Sequence, residues 1–187
     1  MSQSSTPNSV LVATPRTRAI AESPRLAARA TELLQGFRAF VQLDAQDART
    51  VVAYLREVSY APGDMLFRAG DVQAGAHLLL VLEGEVTVET GTALPGLEVP
   101  IAVLGPGSVL GEMALLDGAP RSATVTAVTP VQAAGLARRG LERLIDEHPK
   151  VAARLMVVLA QHMAERLRAL DDQLRMYGQI HTAIRAG

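Results

Sequence analysis

The sequence predicts a mainly β domain with flanking helices, on three observations. From Glu57 to Leu136 the apolar residues fall in short runs, broken by Pro62-Gly63, Gly70-Asp71, Gly84, Pro95-Gly96 and Gly105-Pro106-Gly107. Short strands punctuated in this way argue for a sandwich or barrel. On both sides of that region the apolar spacing lengthens to the period of a helix. Finally, 49% of the 187 residues are apolar but only 3% are aromatic, with no Trp, so the core is one of Leu, Val, Ile, Ala and Met.

The elements follow in order. Residues 1–23 are rich in Ser, Thr and Pro with Glu22 as the one acid, which predicts a disordered tail. Residues 24–56 form two helices. The first starts at Ser23-Pro24, with Leu26, Ala30, Leu33 and Leu34 on one face, and ends at Gly36. Asp44 caps the second, whose stripe is Ala48, Val51, Val52 and Leu55. The β region then runs through Val58–Tyr60, Met65–Phe67, His77–Leu82, Glu85–Glu89, Leu97–Leu104, Ser122–Val128 and Val131–Leu136. Arg138 to Glu147 is a short helix with Leu141, Leu144 and Ile145 inward, closed by His148-Pro149. A long helix follows, free of Gly and Pro from Lys150 to Tyr177. Its apolar residues Met156, Leu159, Met163, Leu167, Leu170, Leu174 and Tyr177 step almost as a heptad, longer than one small barrel covers, which points to a helical dimer seam. Gly178 is expected to break it.

Composition excludes several functions. Net charge is −1, no basis for general nucleic-acid binding. There is no Cys, hence no disulfide, thiolate nucleophile or thiolate-bound zinc. His77, His148, His162 and His181 show no metal-ligand spacing, and neither a Walker loop nor a nucleophile elbow is present. No apolar run approaches the ~20 residues of a membrane helix, so a soluble cytoplasmic protein is expected, with no membrane partner.

Chemistry concentrates in Gly111-Glu112-Met113-Ala114-Leu115-Leu116-Asp117-Gly118-Ala119-Pro120-Arg121-Ser122. Gly111 permits a tight backbone path, and Glu112 to Leu116 are good helix formers whose first amides are unpaired and face anions. Asp117 to Pro120 is turn chemistry. One segment thus gathers a carboxylate, a helix N-terminus, a guanidinium and a hydroxyl. A ribose-phosphate would use all four, the carboxylate accepting from a sugar hydroxyl and the other groups donating to phosphate.

Gly111-Glu112-Met113-Ala114-Leu115 together with Pro120-Arg121-Ser122-Ala123-Thr124-Val125 resembles the phosphate-binding cassette of cyclic-nucleotide-binding domains, the family of catabolite activator proteins and protein kinase A regulatory subunits. The resemblance spans about Phe37 to Tyr177. It implies an eight-stranded β jelly roll carrying a phosphate-binding cassette, with N-terminal helices and a long C-terminal helix. In that pattern residues 57–137 are the nucleotide-binding roll and 138–187 the lid and dimerisation helices. Glu112 takes the ribose 2′-hydroxyl, the backbone of Met113 and Ala114 meets the cyclic phosphate, and Arg121 pairs with its exocyclic oxygen. Ser122 sits where base choice is influenced, and Val88, Ile101 and Leu104 align with strand positions that touch base or sugar. Arg166 matches an Arg that reaches toward the phosphate and the cassette Glu, while Leu170 and Asp171 match positions at the purine edge.

The implied function is a non-catalytic receptor for a cyclic mononucleotide, cAMP ahead of cGMP, with no cofactor and no metal. It would close a helical lid over its ligand and signal as a homodimer to a downstream protein. Only ten residues follow Tyr177, too few for a winged helix-turn-helix, so a stand-alone module without direct DNA binding is expected. The alternative is a structural or interaction dimer with a non-signalling pocket, or a sensor of cyclic di-GMP. The retention of both Glu112 and Arg121 argues against it.

Overall fold

In a computed structural model, which describes residues 17–37, 39–72, 77–90 and 99–186, two antiparallel sheets form the expected roll between helices. The described strands are β1 (Arg18–Ala19), β2 (Arg56–Tyr60), β3 (Met65–Phe67), β4 (His77–Glu83), β5 (Val86–Thr90), β6 (Val99–Leu104), β7 (Val109–Leu110), β8 (Thr124–Ala127) and β9 (Val131–Ala137). They pair in the orders β1-β2-β9-β4-β7 and β3-β8-β5-β6. The helices are α1 (Pro24–Gly36), α2 (Ala45–Val52), α3 (Glu112–Asp117), α4 (Arg138–Glu147) and α5 (Pro149–Ala186).

Successive strand residues point to opposite faces, and β4 buries both. Leu79 and Val81 enter the interior of the roll with Val58, Phe67, Val86, Val88 and Val125. Leu78, Leu80 and Leu82 face outward beneath Leu26, Ala30 and Leu34 of α1, Val51 of α2, Leu144 of α4 and Leu155 of α5. This double burial explains why His77–Glu83 is a continuous apolar run rather than an alternating one.

Local chemistry sets the N-terminal helices. Pro24 stands in the first turn of α1, where its missing N–H costs nothing. Ser23 Oγ does not cap that helix; it donates to Glu57 Oε2 at 2.5 Å. Asp44 Oδ1 accepts from the amides of Gln46 and Asp47, both at 2.8 Å, and Asp47 returns the contact to the Asp44 amide. Asp47, nearly buried, also pairs with Arg154, which ties α2 to α5.

Several expectations are corrected. Disorder over residues 1–23 fails at its end, because Arg18 and Ala19 pair with Glu57 and Arg56 and a 3-10 turn follows at Ile20–Glu22. The Arg18 guanidinium bonds both Glu57 oxygens at 2.7 and 3.1 Å, and Ile20 is fully buried. These contacts offset the ordering entropy that composition alone emphasised. Residues 1–16, the Pro95-Gly96 turn, and Leu97 lie outside the described residues. The strand expected from Ser122 begins at Thr124, since the backbone of Arg121 is held instead by the loop carbonyl of Asp71 and amide of Gly70. Ile145, turned by about 100° from Leu144, is 46% exposed rather than inward.

Gly178 does not end α5, which continues to Ala186; a helical Gly costs only about 1 kcal/mol. The face of α5 packed on its own domain is Ala152, Leu155, Val158 and Leu159, with Met156 beside it. Leu167 and Leu170 of the expected stripe are exposed, at 61% and 46%, and the side chains of Leu174 and Tyr177 lie outside the described residues. No helix among the described residues is long and apolar enough to cross a membrane.

Leu80→Ala should lower the unfolding free energy by about 2–5 kcal/mol, the range for truncating a buried Leu. Ile145→Ala should stay within about 0.5 kcal/mol, as at most surface sites. Urea unfolding midpoints measure both.

Candidate functional site

Gly111 ends β7 with φ 75° and opens α3. A Cβ here would overlap Arg121 Nη1 and lie 3.0 Å from Phe67 Cζ and 3.1 Å from His77 O. The position therefore excludes side chains twice, by backbone conformation and by space. Gly118, φ 72°, closes the helix by donating to Ala114 O at 3.1 Å, and Asp117 Oδ1 accepts from the Ala119 amide at 2.8 Å. The chain then delivers Arg121, whose N–H donates to Asp71 O at 3.0 Å and whose carbonyl accepts from Gly70 N–H at 2.8 Å.

The Arg121 side chain runs back under the cassette and is 4% exposed. Nη1 donates to Gly111 O and Nη2 to His77 O, each at 3.0 Å, while Cζ lies 3.8 Å from the Phe67 ring centroid. Among the described residues no carboxylate forms an ion pair with it. Burial pulls the guanidinium below its ordinary value, opposed by the fields of Tyr60 and Glu112. Burial also pushes the Tyr60 hydroxyl up to about 12, so that phenol is neutral at pH 7 and supplies no counter-charge.

Glu112, 2% exposed, points into the same recess. Its Oε1 accepts from Arg166 Nη1 at 2.7 Å. An ionised carboxylate has about four acceptor positions, so this contact leaves capacity for a second donor. Glu112 and Arg121 are thus not an ion pair with each other. Arg166 reaches over from α5, one turn beyond His162. Burial pulls the His162 imidazole below its ordinary value, while Glu112 raises it and Arg166 lowers it.

The recess encloses about 410 Å³, solvent at its mouth included. It brings together Gly111, Glu112, Met113, Ala114, Arg121 and Ser122 of the cassette with Val88 from β5 and Arg166 from α5. Leu104 packs on the interior core instead. Leu170 and Asp171 lie exposed on α5 and do not line it, and the Ile101 side chain is outside the described residues. Phe67, Ala123 and Val125 complete the walls. Sequence reasoning missed Phe67 because a lone aromatic in a three-residue strand has the signature of plain core. Chemically, one end offers donors for an anion and an acceptor for a hydroxyl, and the other offers an apolar wall. Among the described residues there is no cluster of three or more His, Asp or Glu side chains able to hold a metal ion.

Comparisons with known proteins bear on the family and the fold. A family profile described as "Cyclic nucleotide-binding domain" matches residues 57–148. The Cyclic AMP receptor protein of Thermus thermophilus is 35% identical over 138 residues, 74% of this chain and 62% of that protein. A CRP-like cAMP-activated global transcriptional regulator of Mycobacterium tuberculosis is 27% identical over 144 residues, 76% of this chain and 61% of that protein. The chain therefore spans about three fifths of the length of these curated relatives. The crystal structure of a cyclic nucleotide-binding domain from Methylobacillus flagellatus superposes with a TM-score of 0.73 at 30% identity, covering 80% of this chain and 82% of that one.

Gly111→Ala should cost more than about 1 kcal/mol of stability, as expected where a side chain meets a left-handed conformation. Thermal unfolding measures it, and a variant as stable as the parent would contradict the close approach of Arg121.

Proposed function

The chain belongs to the cyclic nucleotide-binding domain family, and from that premise we propose that it is a non-catalytic receptor for a cyclic purine mononucleotide, cAMP ahead of cGMP. The observation that carries this reading is the buried Arg121 guanidinium, which has carbonyls and a ring around it but no carboxylate partner among the described residues. A cation taken out of water is costly unless it is paired. An exocyclic phosphate oxygen in the recess supplies the missing charge, and the amides of Met113 and Ala114 add donors at the start of α3. Glu112 accepts from the ribose 2′-hydroxyl with the acceptor positions Arg166 leaves. Val88, Ala123 and Val125 form an apolar wall for the purine, with Ser122 at its polar end. The preference for cAMP rests on the name of the Thermus thermophilus receptor.

Residues 138–187 act in this reading as lid and dimer seam. Arg166 links the cassette carboxylate to α5, so occupancy of the recess is felt by the helix. Settling of α5 brings Leu170 and Asp171 toward the purine edge. The exposed Leu167 then meets a second copy, and the dimer presents the change to a downstream protein. The response is a population shift, limited by how much better the ligand binds the closed form than the open one.

Calorimetry with cAMP, cGMP and cyclic di-GMP should give a mononucleotide Kd below about 100 μM, roughly −5.5 kcal/mol. Binding of cyclic di-GMP alone would contradict the proposal. Arg121→Ala should weaken binding by about 2–5 kcal/mol, roughly 30-fold to several thousandfold; a change under about threefold would remove Arg121 from the site. Light scattering should give a dimer for the parent chain, and the 19.8 kDa monomer for Leu167→Glu combined with Leu174→Glu. A parent monomer would contradict the seam.

A further inference from the structure

His162 lies between the N-terminal helices and the recess, and neither the cassette pattern nor the core accounts for it. Its ring is half-buried and meets Phe37, in the connector between α1 and α2, edge-on at 5.9 Å. The neighbouring Gln161 Oε1 accepts from the Phe40 N–H of the same connector at 3.2 Å. The connector thus holds α5 one turn before Arg166, whose guanidinium reaches Glu112. Residues four apart on a helix are neighbours on one face, so the imidazole and the guanidinium share the side of α5 that faces the cassette. Among the described residues, the charged groups whose fields act on the ring are Glu112 of α3 and Arg166 and Glu165 of α5, and the Phe37 ring of the connector packs on it.

We infer that His162 is a positioning residue whose protonation state sets how the Glu112–Arg166 pair is held, and through that pair the affinity of the recess. The affinity part rests on the cyclic-nucleotide reading above; the coupling of ring to pair does not.

A neutral imidazole packs against Phe37 and leaves Glu112 to Arg166. A protonated one places a like charge one turn from Arg166, which repels it, and an opposite charge facing Glu112, which attracts it. Both forces loosen the existing pair and engage the carboxylate needed for a sugar hydroxyl. Burial favours the neutral ring, and the sign follows. The unfolded chain takes up this proton more readily than the folded one, so stability is complete above the ordinary histidine range, near pH 6.5. It falls as pH drops through the depressed value, and ligand affinity falls with it.

NMR titration of the full chain without ligand tests the coupling. The His162 ring should titrate below pH 6.5, and the Arg166 Nε–H and Glu112 carboxyl signals should follow its midpoint. In His162→Gln that component should vanish from both signals. Calorimetry with cAMP then tests the consequence: affinity should fall at least about threefold from pH 7.5 to 5.5 in the parent chain, and His162→Gln should lose most of that change. A ring midpoint at or above 6.5, pair signals that ignore it, or equal pH dependence in parent and variant overturns the inference. Failure of both cAMP and cGMP to bind at either pH would sink the receptor reading, while the ring titration would still decide the role of His162.

Discussion

A guanidinium is among the hardest groups to bury, and this domain buries one under its cassette. Arg121 is held by two backbone carbonyls and the face of Phe67. These fix its direction but leave it without an ion-pair partner among the described residues, and the field of Glu112 opposes only in part the cost of burial. Carbonyl dipoles and a ring quadrupole solvate a cation without neutralising it. Much of the surrounding structure follows from that demand. Gly111 has to lack a side chain so that the carbonyl and the guanidinium can meet. The Gly70–Asp71 loop has to grip the Arg121 backbone, and Phe67 has to end β3 beneath it. The cost of holding a cation ready in this way is the physical reason to assign the recess to an anion.

The second organising feature is one face of α5. Arg154, Val158, His162 and Arg166 follow one another at four-residue steps, over about 18 Å of helix. They meet in turn Asp47 of α2, the core against the outer sheet, Phe37 of the connector, and Glu112 of α3. N-terminal helices, sheet and cassette are therefore all referenced to a single rigid element. The interior of the roll, by contrast, is closely filled by Val, Leu, Phe67 and Tyr60 side chains.

Much of this was legible in the sequence because local chemistry and tertiary role coincide. Asp44 caps α2, Pro24 begins α1, and the turn glycines separate the strands, since each acts within a few residues of itself. The cassette was legible for the same reason: Glu112, Arg121 and their glycine are close in sequence and in space. What was missed depends on distant partners. The tail seemed too polar to order until Arg18 met Glu57, thirty-nine residues away. Phe67 and His162 carried no pattern of their own, and their meaning comes from Arg121 and Arg166. Leu170 and Asp171, expected at the purine edge by pattern, stand exposed on α5. Gly178 misled in the opposite sense, as a weak local preference that the continuing helix overrides.

The central claim is that the Arg121 guanidinium is the anion-binding group of the recess. Its Nε–H resonance, followed by NMR as cAMP and then adenosine are added to the full chain, tests this most directly. The account predicts a large shift of that resonance with cAMP and almost none with adenosine, which offers base and ribose but no phosphate. An Arg121 signal that stays put while cAMP moves the signals of Glu112 and Val88, or that responds equally to both compounds, would contradict it.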